Sequence, residues 1–195
     1  MSALGLLDPS QHLFWLGSRS LGIVAMLLVS VSVGFGLALS TRVDKRPGSA
    51  ARFKTLHEAV ALVSLIAIVG HGVLLLGDSF IHPTIAQISI PFLLPNDPFW
   101  TGLGVVAGWL AILFGLSFYV RRRIGVALWR KIHRWTILVF ALGLIHTIGA
   151  GTDAQAAWLI VLLALAATPV ALIGGLRLIR LERDPITPKR SPRLS

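Results

Sequence analysis

The sequence predicts an all-α membrane protein, a bundle of five transmembrane helices with the N-terminus outside and the C-terminus cytoplasmic. Composition is the first reason: of 195 residues 55% are hydrophobic and only 13% charged, with a mean hydropathy of +0.80, unlike an ordinary soluble domain. Apolar length is the second. Runs at 15–39, 53–76, 101–120, 132–150 and 155–176 mostly reach the ~20 residues a spanning helix needs, and none alternates apolar with polar residues as a barrel strand does. Charge placement is the third. Of the 18 Lys and Arg, five fall at 42–54, six at 121–134 and six at 177–193, leaving only Arg19. The alternate segments 1–14, 77–100 and 151–154 hold no Lys or Arg but carry Asp8, Asp78, Asp97 and Asp153. Basic segments stay on the cytoplasmic side, which orients the bundle. The formal net charge of +10 is therefore topology, with some attraction to anionic lipid, and calls for no nucleic-acid partner.

Residues 1–14 form an external N-terminal segment without the basic start of a signal peptide. The first run is also too long for a signal-peptide core, so it reads as a retained helix. The second run, 53–76, opens just after a basic stretch and carries His57 and His71. Segment 77–100 is the longest connection, broken by Pro83, Pro91, Pro95 and Pro98, and its apolar content predicts a cap on the outer surface. In the third run GLGVVAG at 102–108 follows no strand, so helix packing explains its glycines better than a dinucleotide fingerprint does. The fourth run, 132–150, opens at His133 and contains His146; the fifth completes a membrane domain over 15–180. Residues 181–195 are basic and proline-rich and are expected to be a disordered cytoplasmic tail. No short internal repeat is evident.

An ionisable ring within a membrane is costly unless something satisfies it, which makes His57, His71, His133 and His146 the candidate functional residues. Fourteen residues separate the first pair and thirteen the second, so each pair spans about 20 Å of helix, most of a hydrocarbon core about 30 Å thick. Fourteen residues fall about 40° short of four turns, placing His57 and His71 on one face; thirteen fall about 140° short, so His133 and His146 need a local distortion or a tilted cofactor. Antiparallel order pairs His57 with His133 near the inside and His71 with His146 towards the outside. With no cysteine, attachment through Cys-x-x-Cys-His and thiolate-held iron–sulfur clusters are excluded, and imidazole is left as the heme ligand. Four histidines at matched depths predict two b-type hemes, each gripped from both faces.

Gly70, Gly72, Gly143 and Gly149 lie near the histidines, where a missing side chain admits either a macrocycle or a neighbouring helix. Arg19, four residues beyond Trp15, either reaches a propionate of the outer heme or snorkels to the interface. Arg52, Lys54, Arg130 and Arg134 could hold inner propionates, though charge sorting already accounts for them. Trp15, Trp100, Trp129, Trp135 and Trp158 stand at run boundaries as belt anchors, and His12 and His82 read as surface residues.

With these residues in place, the chain resembles the ferric reductase-like transmembrane domain family, whose relatives include NADPH oxidases, ferric-chelate reductases and the heme subunit of bacterial methionine-sulfoxide reductase systems. The resemblance covers roughly residues 12–180 and rests on WLGSRSLG at 15–22, LHEAVALVSLIAIVGH at 56–71, DSFI at 78–81, WRKIHRW at 129–135 and HTIGAGTD at 146–153. It implies electron transfer across the plasma membrane, in a prokaryotic cell, through two bis-histidine b-type hemes held by His57, His71, His133 and His146. No flavin or nicotinamide domain is expected after the last helix, where the proline-rich tail 184–195 holds only twelve residues. The expected donor is thus a separate cytoplasmic flavin or nicotinamide reductase, or a quinol, passing electrons to an external acceptor. That expectation makes the chain an oxidoreductase only together with its partner. The alternative is a non-catalytic membrane anchor or regulatory subunit of a redox complex.

Overall fold

A computed structural model describes residues 12–183, and within them every regular element is a helix. The order is α1 (Leu13–Thr41), α2 (Ser49–Leu75), α3 (Ile85–Ser89), α4 (Pro98–Ile124), α5 (Val126–His133), α6 (Thr136–Ala150) and α7 (Ala157–Arg183). Five spans are long and apolar enough to cross a membrane: α1, α2, α4, the α5–α6 pair over Val126–Ala150, and α7 over Ala157–Ile179. The expected all-α bundle of five spans is thus observed. The basic tail lies mostly outside the described residues.

The helices outrun the apolar stretches because hydropathy marks the lipid slab, whereas a helix continues into the headgroup layer until the backbone breaks it. Arg42 closes α1 in the left-handed region at φ 51°, Gly48 precedes α2 at φ 82°, and Gly125 separates α4 from α5 at φ 87°. Pro98 supplies the first turn of α4, where its missing N–H costs nothing. The fourth span departs from expectation. His133 does not open a helix but ends the short amphipathic α5, and a turn at Arg134 and Trp135 intervenes before α6.

Helix α1 is the hub, lying along α2 for most of its length and also touching α6 and α7, while α4 packs on α6. Small buried residues, Ser18, Ala25 and Ser32 on α1 with Ser64 and Ala67 on α2, permit that close approach. A modest apolar core joins Met26, Val29, Phe114, Val139, Phe140, Leu159 and Leu163. Much of the remaining apolar surface faces outward: Ile66, Leu113 and Leu165 are each more than 60% exposed, as side chains solvated by lipid would be. Intramembrane hydroxyls bond back to their own helices, Ser30 to the Met26 carbonyl and Thr147 to that of Gly143, so these donors are satisfied without water.

The connection between α2 and α4, called the outer segment after its expected side, folds back over the bundle. Within it, Thr84 and Gln87 form a reciprocal capping box that starts α3. The Trp109 indole N–H, inside α4, donates to the Ser89 carbonyl at 2.7 Å and ties the segment to that helix.

Candidate functional site

Helices α1 and α2 run antiparallel in a register that places Ser18 beside His71 and Ser32 beside His57, fourteen residues apart on each helix. The His71 Nδ1 lies 2.7 Å from the Ser18 carbonyl oxygen and the His57 Nδ1 lies 2.8 Å from that of Ser32. A carbonyl only accepts, so both Nδ1 atoms carry the proton and both Nε2 atoms keep their lone pair. The bond is returned at one level, where the Ser18 hydroxyl donates to the His71 carbonyl at 2.8 Å. On the other side of the bundle, His146 Nδ1 donates to the Trp100 carbonyl in the first turn of α4 at 2.9 Å.

The same local device serves all three. A helix carbonyl already accepts from the N–H four residues on, so an imidazole reaching its second lone pair must lie over that later residue. In each case the later residue is glycine. A Cβ at Gly22 would stand 3.0 Å from the His71 ring, one at Gly104 2.6 Å from the His146 ring, and one at Gly36 3.5 Å from the His57 ring. The glycines that make room for the histidines are therefore on neighbouring helices. Of those near the histidines in sequence, Gly70 meets Leu21, Gly143 meets Met26, Gly149 meets Trp100, and Gly72 meets nothing within 4 Å. Within GLGVVAG, Gly108 packs against Ile68 of α2 as helix packing predicts, whereas Gly102 meets Phe92 of the connection before α4 and Gly104 belongs to the site.

The pairs form across the bundle as the antiparallel order predicts. His57 and His133 have ring centres 5.9 Å apart with an interplanar angle of 83°, and His71 and His146 have centres 6.2 Å apart at 64°. The thirteen-residue mismatch is resolved by the chain break, because His133 belongs to α5 and need not share a face of α6 with His146. Among the described residues no three His, Cys, Asp or Glu side chains converge. A metal held by either pair would take its other ligands from a group the protein does not supply.

His71 and His146 line a half-open cavity of about 590 Å³, with Met26 and Val29 from α1 and, as a partial roof, Ile81, Ile88, Phe92 and Leu94 from the outer segment. That is the size range of cofactor sites. The expected cap is thus the roof of this cavity. Beside His57 and His133 is a much smaller, half-open space of about 70 Å³, lined by Ala61, Ser64, Leu65 and Ala111.

Arg19 lines the outer cavity, its guanidinium 5.0 Å from the centre of the Trp15 ring, and forms an ion pair with Asp153 in the loop after α6. Both residues of that pair are largely screened from solvent. Of the expected belt tryptophans, Trp135 and Trp158 are exposed, Trp100 supplies the carbonyl to His146, and Trp129 stacks on His133. His12 and His82 are exposed, as expected. Sequence reading missed Ser18 with Gly22 and Ser32 with Gly36, although the Ser-x-x-x-Gly pattern recurs at the fourteen-residue spacing of the histidines.

Among known proteins, no curated protein and no solved structure gives a significant match. The family model described as ferric reductase like transmembrane component matches residues 21–144, a stretch that contains His57, His71 and His133 together with Gly22, Ser32, Gly36 and Gly104. His146 and Ser18 stand just beyond its two ends. That match spans more than half of the chain, and with the paired histidines it leads to one conclusion: the chain belongs to the ferric reductase-like transmembrane component family.

Proposed function

We propose that His57 with His133, and His71 with His146, are the axial ligands of an inner and an outer b-type heme, through which the chain passes electrons across a prokaryotic plasma membrane. Domains of this family generally bind heme and serve transmembrane electron transfer. The observation that carries the reading is the ring separation. An imidazole nitrogen binds a first-row metal at about 2.0 Å and lies roughly 1.1 Å from its ring centre, so two rings sharing an ion in line stand about 6.2 Å apart. The separations here are 5.9 and 6.2 Å.

Three of the four rings also carry the outer hydrogen bond typical of metal-bound histidine, Nδ1–H to a backbone carbonyl, which selects the tautomer with Nε2 free and raises its basicity. The outer cavity adds room for a macrocycle, and Arg19, steadied by Trp15 and Asp153 at its rim, is the residue to receive a propionate. When bound, heme supplies one-electron exchange between ferric and ferrous iron. The protein holds the rings at fixed depth, keeps water from them with the apolar walls and roof, and presents the outer edge towards an external acceptor. Electrons enter from a separate cytoplasmic flavin or nicotinamide reductase, or from a quinol. In this reading the N-terminus lies outside and the C-terminus in the cytoplasm, an orientation supported by the basic segments 42–54 and 121–134.

Purified protein from heme-replete cells is expected to show low-spin bis-imidazole spectra and two hemes per chain. His71→Ala or His146→Ala is expected to lose one heme and His57→Ala or His133→Ala the other. Unchanged heme content in an outer-pair variant overturns the assignment, and a colourless wild-type protein points instead to an anchoring or regulatory subunit. Stopped-flow mixing with a quinol and with a flavin reductase identifies the donor.

A further inference from the structure

Three of the four imidazoles are oriented by a carbonyl beside a glycine, and the fourth is held differently. His133 stands before the break at 134–135, outside the register that pairs Trp100 with His146. Among the described residues the buried Nδ1 of His133 has no hydrogen-bond partner. Its ring instead lies nearly flat on the indole of Trp129, with centres 4.9 Å apart and planes 24° from parallel. Trp129 precedes His133 by four residues, one turn of α5, which puts both rings on one face.

The indole is itself anchored to another helix. Its N–H donates to the Ser117 hydroxyl on α4 at 3.1 Å, and that hydroxyl donates onward to the Phe114 carbonyl at 2.6 Å. Phe118 meets the indole edge-on, 6.1 Å between centres. The plane of the His133 ring is thereby referred to α4, although His133 itself stands at the end of a short helix.

We propose that Trp129 is a positioning residue: held by Ser117, it fixes the plane of the His133 imidazole and so the near-perpendicular 83° arrangement of the inner pair, replacing the carbonyl bond used by the other three. The inference rests on the reading of His57 and His133 as ligands of an inner heme. Ring planes matter because each imidazole interacts with the iron d-orbitals of π symmetry according to its plane. Perpendicular rings leave two of those orbitals nearly equal in energy, which makes the low-spin ferric resonance strongly anisotropic; rings closer to parallel split them and give a rhombic signal.

The test uses the full chain in a His71→Ala background, where the proposed function leaves only the inner heme, and reads its ferric electron paramagnetic resonance spectrum beside heme content. Trp129→Leu, which removes the stack, is expected to lose the strongly anisotropic signal in favour of a more rhombic or broadened one. Trp129→Phe keeps a flat ring and is expected to restore most of it. Ser117→Ala, which frees the indole from α4, is expected to shift the signal in the same direction as Trp129→Leu but less, and stands in for it should that variant fail to accumulate. A signal unchanged in Trp129→Leu, or unchanged in Ser117→Ala when that variant stands in, overturns the positioning role. A His71→Ala protein with no low-spin signal at all removes the inner-heme reading, and the positioning role with it.

Discussion

At the scale of single residues, the site is shaped by the glycines that lie against the histidine rings. Gly104 and Gly36 play the same part at two levels, yet their tolerances differ: an added methyl would stand 2.6 Å from the His146 ring at the first and 3.5 Å from the His57 ring at the second. The shorter distance forces either the ring or its helix to move, whereas the longer is ordinary van der Waals contact. Gly104→Ala is therefore expected to displace His146 from the Trp100 carbonyl and to cost most of the outer heme, while Gly36→Ala retains both. Heme-to-protein ratios of the two purified variants check this, and equal ratios would show that the outer ring is not confined as described. The histidines themselves are legible from the sequence because an imidazole inside a membrane has few other reasons to be there. Their supporting carbonyls are not, because every residue has a carbonyl and only the register between helices selects which one is used.

At the scale of elements, the linkages that matter join segments distant in sequence. The Arg19–Asp153 pair ties α1 to the loop between α6 and α7 at the rim of the outer cavity. Its side chains are 30% and 24% exposed, so the pair lies between an exposed ion pair, worth under about 1 kcal/mol, and a fully buried one, whose breaking leaves an uncompensated charge at a cost of about 3–5 kcal/mol. Arg19→Gln alone is expected to destabilise the protein by about 2 kcal/mol through the charge left on Asp153. The double variant with Asp153→Asn is expected to recover part of that in a thermal melt of the heme-free protein. If Arg19 also receives a propionate, neither variant recovers the wild-type affinity for the outer heme. The sequence leaves Arg19 a propionate or the interface and does not point to Asp153, since the two residues are brought together only by the packing of α1 on α6. The fourth span shows a similar limit. Hydropathy detects a single apolar run, but the break at Arg134 and Trp135 is a matter of backbone geometry, and that break lets His133 and His146 serve two levels despite thirteen-residue spacing.

At the scale of the whole molecule, orientation in the membrane decides which histidine pair faces which side. The absence of cysteine makes it directly measurable. Asp44→Cys introduces a thiol in the connection between α1 and α2, and Asn96→Cys introduces one in the outer segment before α4. In intact cells a membrane-impermeant thiol reagent is expected to label the Asn96→Cys variant and spare the Asp44→Cys variant, and to label both after lysis; the reverse pattern overturns the proposed topology. What the sequence determined alone is the class of molecule: apolar runs of spanning length, sorted charge and four histidines at two depths follow from the free energy of placing each residue in lipid or water, a property of the residue and its near neighbours. What tertiary structure decided is how each imidazole is held: Ser18 and Ser32 through α1, Trp100 through α4, Trp129 in place of a carbonyl, and the outer segment as a roof. Those choices depend on distances of a few ångströms between helices, which are set by the mutual packing of small residues and exist only once the bundle is assembled.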